Sequence, residues 1–146
     1  MRVALFSDVH GNLAALEAVL AKIDEGERVD VKVFAGDTVL FGPSPGEVVE
    51  RLQASDIVCL RGNCDAIIAG QIEQQLPPDP AVREALRAHK EWTMARLSDA
   101  QIQWLAERPA QYRISPPDSD DPRRALVVIH ATPRDVDDDV RFCSPD

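Results

Sequence analysis

Arg2-Val3-Ala4-Leu5-Phe6-Ser7-Asp8-Val9-His10-Gly11-Asn12-Leu13 is the stretch from which the fold is read. A short apolar run that opens the chain and stops at a carboxylate predicts a buried strand whose C-terminal end delivers Asp8 and His10 into a loop. Asn12 then predicts a helix cap. In open α/β sheets, the place where a strand gives way to a helix is where sites are built. On these residues alone, a turn carboxylate beside a solvated imidazole outweighs metal binding.

The pattern repeats downstream. Leu13, Leu16, Leu20 and Ile23 recur at helical spacing, which predicts an amphipathic helix over 12–25 ending near Gly26. Val31-Lys32-Val33-Phe34-Ala35 reads as a second strand running into Gly36-Asp37-Thr38. Strand, helix and strand at this spacing imply a right-handed crossover and a parallel pair. Ser44, Pro45 and Glu47 predict a capping box ahead of a helix to about Ala54, and Asp56–Leu60 reads as a third strand ending in Arg61-Gly62-Asn63-Cys64-Asp65. Residues 66–109 change to helix formers broken at Pro77-Pro78-Asp79-Pro80, and read as a helical insert within a single domain spanning 1–146. On its longer helix, Pro80 to about Leu97, the residues Val82, Ala85, Leu86, His89, Trp92 and Thr93 share a face expected to be buried. His89 there reads as a partly buried histidine bonded to a neighbour, with a lid residue reaching the site as the alternative. Trp92 and Trp104 read as core. Ser98 and Gln101 predict a second capping box, and two further strands are expected at Gln111–Ile114 and Ala125–Ile129, the last ending at His130.

Composition bounds what this frame can do. A chain of 146 residues suits one soluble globule, and 25 acidic against 16 basic residues leave a formal charge of −9. That balance argues against a nucleic-acid backbone as the main partner. Cys59, Cys64 and Cys143 are odd in number and lack zinc-knuckle spacing, so reduced thiols are expected. With no signal peptide and no membrane-length apolar segment in the sequence, the expected location is the cytoplasm.

Four predicted strands thus end in Asp8/His10, Asp37, Asn63/Cys64/Asp65 and His130. Parallel neighbours lie about 4.8 Å apart, so residues just past their ends converge. Oxygen and imidazole donors suit manganese, iron or zinc better than a soft metal. Asp37, on the middle loop, is the candidate to bridge two cations.

The motifs Asp8-Val9-His10-Gly11-Asn12, Gly36-Asp37 with Phe41-Gly42-Pro43-x-Pro45, Arg61-Gly62-Asn63-Cys64-Asp65 and Val128-Ile129-His130-Ala131-Thr132-Pro133 resemble, in order and spacing, those of the calcineurin-like metallophosphoesterases, in particular their small phosphodiesterase branch. The resemblance implies an α/β architecture, a two-sheet β-sandwich flanked by helices. It also implies two divalent ions, manganese first with iron, zinc or nickel as alternatives. Asp8, His10 and Asp37 would hold one, and Asp37, Asn63 and His130 the other. Within the same motifs Cys64 and Asp65 are candidates for catalysis, and Asn12 and Arg61 for substrate contact. The implied reaction is hydrolysis of a phosphodiester or phosphomonoester, nucleotide-like or on a phosphoprotein, by hydroxide activated between the metals.

This sequence departs from the family in three places. Cys64 stands where most members have a histidine, and near two cations its thiol is expected to ionise and donate poorly; a passive small residue is the alternative. Ala131 replaces a usual glycine. The later Gly-His-x-His motif is not in these residues, so one ligand of each metal and part of the second sheet are expected to be missing. An incomplete second sheet would leave an apolar sheet face open, and with it self-association, weak metal binding and little activity are expected. The competing expectation is a non-catalytic metal- or phosphate-binding module with an incomplete centre. A phospho-accepting receiver domain is set aside, because it needs a lysine where this chain has His130.

Overall fold

Side chains of a strand alternate between its two faces, and in the central strand this alternation feeds two separate cores. In the computed structural model, which describes residues 1–119 and 121–132, the elements in chain order are β1 (Val3–Phe6), α1 (Leu13–Glu25), β2 (Val31–Phe34), α2 (Pro45–Gln53), β3 (Val58–Cys59), α3 (Asn63–Ile68), α4 (Pro80–Met94), α5 (Asp99–Ala106), β4 (Gln111–Ile114), a 3-10 turn (Pro122–Arg124) and β5 (Leu126–Ile129). The strands β1-β2-β3 form a parallel sheet in that order, with Leu5 opposite Val33 and Phe34 opposite Cys59. Phe34 points to a core shared with Leu16 and Leu20 of α1 and with Val48 and Leu52 of α2. Val33 points the other way, to Leu60, Ile114 and Val128.

The last two residues come from an antiparallel hairpin-like pair, β4 with β5, which forms a second sheet of its own. The strand carrying His130 is therefore not a parallel neighbour of the other three, as its apolar run suggested. It lies across the face of their sheet. This pair covers β2 and β3, so the expected open face is confined to the edge strand β1, where Leu5 is 55% exposed. A third core of Val39, Leu40, Val49, Cys64, Ile68 and Leu105 joins α2, α3 and α5.

The helix ends follow local chemistry. Asn12 caps α1, its side chain accepting from the Ala15 amide at 3.0 Å. Ser98 and Gln101 close the predicted box on α5, with bonds of 3.2 Å and 2.9 Å. Ser98→Ala is expected to cost about 1 kcal/mol, read as a lower urea midpoint at unchanged slope. Ser44 does not form the predicted box with Glu47. Its amide already donates to the Gly11 carbonyl at 2.9 Å, which leaves nothing for Glu47 to accept.

The expected buried stripe of α4 is largely uncovered. Only Thr93 is buried, Val82 is 46% exposed and His89 is exposed. Among the described residues no helix is long and apolar enough to cross a membrane.

Candidate metal centre

Beyond the ends of β1 and β2 the ladder continues through irregular backbone. The amides of Asp8, His10 and Gly11 donate to the carbonyls of Gly36, Asp37 and Thr38 at 3.0, 2.9 and 2.7 Å. Locking the loops together places Asp8, His10 and Asp37 in the left-handed region, at φ 60°, 49° and 61°. Leu40 and Phe41 follow at 74° and 69°. Such positions cost roughly 1–3 kcal/mol each and cluster at functional sites. They persist here because two glycines let the backbones touch. A Cβ on Gly42 would strike the His10 carbonyl, and one on Gly62 the Asp37 carboxylate.

Both histidines are oriented by the backbone. The Nδ1 of His10 faces the Val39 carbonyl at 3.3 Å, and that of His130 faces the Ala35 carbonyl at 2.9 Å. Donation there leaves each Nε2 as a lone pair turned inward, the usual arrangement of a ligating histidine. His10 Nε2 lies 3.6 Å from Asp37 Oδ2 and 3.8 Å from Asp8 Oδ1. His130 Nε2 lies 3.4 Å from Asp37 Oδ1 and 3.0 Å from Asn63 Oδ1. The two oxygens of Asp37 thus face different histidines. The carboxylate is held by the Cys64 amide, which donates to Oδ1 at 2.9 Å.

Ligand atoms of Asp8, Asp37 and His130 lie within 4.8 Å of one another, as do those of His10, Asp37 and Cys64. Beyond the Cys64 amide on Asp37 Oδ1, the imidazole lone pairs face oxygen acceptors, and two carboxylates so close repel. A divalent cation relieves both conditions, and carboxylate, amide and imidazole donors suit a hard to borderline one. All five expected ligands, Asp8, His10, Asp37, Asn63 and His130, are brought together.

The other expected site residues are placed differently. Asp65 is fully buried, and its carboxylate accepts from the amides of Gly62, Asp37, Thr38 and Val39 and from the Thr38 hydroxyl, at 2.9–3.3 Å. Burial pushes its pKa up to about 6, opposed in part by those amide donors. It ties the Asp37 loop to α3, and we read it as a positioning residue where a catalytic one was expected. Arg61 Nη1 donates to the carbonyls of Ala106 and Arg108 at 2.9 and 3.3 Å, at the end of α5. The Asn12 side-chain oxygen is engaged in capping α1.

Cys64 sits beside Asp37 with its thiol pushed up, first by burial and then by the Asp37 carboxylate. The expected ionisation rested on two cations; the protein's own groups act the other way. Cys59 and Cys64 are free thiols, while Cys143 and Pro133 lie outside the described residues. A cavity of about 290 Å³ opens on Asn63 and Cys64, walled by Leu40, Phe41 and Leu86. Sequence reading missed the orienting carbonyls of Ala35 and Val39, which no residue type marks. Gly42 and Gly62 entered only as motif positions, although their recurrence beside candidate ligands was a usable signal of close backbone approach.

The profile of the calcineurin-like phosphoesterase family matches residues 1–131. A solved metallophosphoesterase from Sphaerobacter thermophilus superposes with a TM-score of 0.67 at 31% identity, covering 97% of this chain and 51% of that one. The phosphodiesterase YfcE of Escherichia coli is 33% identical over 86 residues, 52% of this chain and 44% of its own length. The uncharacterized protein MJ0912 of Methanocaldococcus jannaschii is 39% identical over 70 residues, 47% of this chain and 28% of its own. The chain thus spans about half or less of the length of these relatives.

Proposed function

Because the chain belongs to the calcineurin-like phosphoesterase family, we propose that it hydrolyses a phosphate ester at a centre of two divalent cations sharing Asp37. The observation that carries this reading is the Asp37 carboxylate, with Oδ2 3.6 Å from His10 Nε2 and Oδ1 3.4 Å from His130 Nε2. One oxygen serves each side. Asp8 and His10 join it in the first set, and Asn63 and His130 in the second. Bound cations, manganese first among them, supply charge stabilisation for the phosphoryl group and an acidified nucleophile.

The chain's own groups do the positioning. The Val39 and Ala35 carbonyls hold the two imidazoles in one tautomer, so neither ring needs to reorient when a cation arrives. The Cys64 amide fixes the rotation of the shared carboxylate. Asp8, exposed at the rim, supplies a further anionic oxygen where a substrate can approach. Cys64 brings a thiol, at best a weak donor for a leaving group, to the side of Asp37.

Turnover of bis(4-nitrophenyl) phosphate tests the reading. Activity is expected on adding Mn²⁺, lost to a chelator and restored by Mn²⁺ in excess. Tight binding of Mn²⁺ and inorganic phosphate with no turnover of this ester or of 4-nitrophenyl phosphate would replace it with the non-catalytic binding module.

A further inference from the structure

Phe41 is large, apolar and 49% exposed, on backbone at φ 69° next to Leu40 at φ 74°. Bulky residues rarely occupy that region, and the strain places the ring at the rim of the centre instead of in the core. Its ring meets His10 edge-on at 5.4 Å between centroids and His89 of α4 at 5.7 Å. A ladder of rings therefore runs from a candidate ligand to the helix overhead. An open slot of about 380 Å³ is lined by Phe41, Gly42, Pro43, Ala88, His89 and Trp92. Trp92 is steadied by the Arg96 guanidinium 3.7 Å over its ring, and Arg96 donates to the Trp92 carbonyl at 3.0 Å.

We propose that this slot receives a planar aromatic substituent of the phosphate ester, an aryl ring or a nucleobase, stacked among Phe41, His89 and Trp92 while the phosphate sits at the Asp37 centre. The proposal rests on the phosphoesterase reading for the phosphate, and on the slot alone for the ring. Apart from the His89 imidazole its lining side chains are apolar or aromatic, so a flat uncharged ring meets them without losing polar partners. Aromatic faces reward a flat π system over an alkyl group of equal area. Ala88 is the small residue on the helix side that leaves the opening, and the volume suits a single ring system.

Calorimetric titration of the whole chain with Mn²⁺ present compares phenyl phosphate with methyl phosphate, and adenosine 5′-monophosphate with ribose 5-phosphate. The aromatic member of at least one pair is expected to bind on the order of tenfold tighter, and Ala88→Trp, which fills the slot from an exposed position on α4, should erase that advantage. A gain confined to phenyl phosphate assigns the slot to aryl esters, and one confined to the nucleotide assigns it to nucleobases; both support it. Equal affinities within both pairs, or a gain that survives Ala88→Trp, would overturn it. Saturation-transfer NMR of the metal-free chain with phenol and adenosine separates the two readings. Contact with either, lost in Ala88→Trp, supports the slot even where no phosphate binds, an outcome that sinks only the phosphoesterase reading. No phosphate binding and no contact from either neutral probe sinks the slot as well.

Discussion

Replacing Asp37 with alanine is expected to strip cations from both halves of the centre, taking bound Mn²⁺ from two per chain toward none under conditions that saturate the unaltered protein. Each oxygen of this carboxylate faces a different histidine, so one substitution removes an anion from two positions. Groups that merely orient ligands are typically worth about 10–100-fold in affinity, and a shared ligand should exceed that. His10→Ala is the contrast. It leaves Asp37, Asn63 and His130 intact, with His130 still 3.0 Å from Asn63, and should empty one position only. Elemental analysis after desalting reads both variants. Two tightly held ions in Asp37→Ala would remove the shared-carboxylate account.

Asp65→Ala should unfold the loop that presents Asp37. Four amides and a hydroxyl would lose their acceptor inside a fully buried site. An unsatisfied buried donor costs about 1–3 kcal/mol, and although such penalties do not add, a total above about 4 kcal/mol is expected. For a chain of this size that lowers the melting temperature on the order of 15 °C. Circular dichroism melts check it. A variant melting within about 2 °C of the parent, but inactive, would return Asp65 to a catalytic role.

What the sequence made legible was the set of candidate ligands, because carboxylates and imidazoles directly after apolar runs are written in residue type and order. Asp8, His10, Asp37, Asn63 and His130 all converge as the strand ends suggested. The route by which His130 arrives was not legible. Four residues, Leu126–Ile129, are as apolar in a second sheet as in the first, and only the pairing with Gln111–Ile114 decides between them. Partnerships with the backbone were equally hidden. Asp65 and Arg61 belong to a motif rich in functional types, yet their side chains serve amides and carbonyls of neighbouring elements. Ser44 has the residue pattern of a capping box, but the Gly11 carbonyl, 33 positions earlier, takes the bond first. The periodicity of α4 was read correctly as a face and wrongly as a buried one, since a helix overhanging a cavity shows the same spacing as one packed on a core.

The shared role of Asp37 is tested most directly by electron paramagnetic resonance of the chain at saturating Mn²⁺. Two ions bridged by one carboxylate, about 3.5–4 Å apart, are exchange-coupled, and the predicted result is a coupled multiline spectrum that disappears in Asp37→Ala. A spectrum of isolated Mn²⁺ only, at a saturating stoichiometry of one ion per chain, would contradict it.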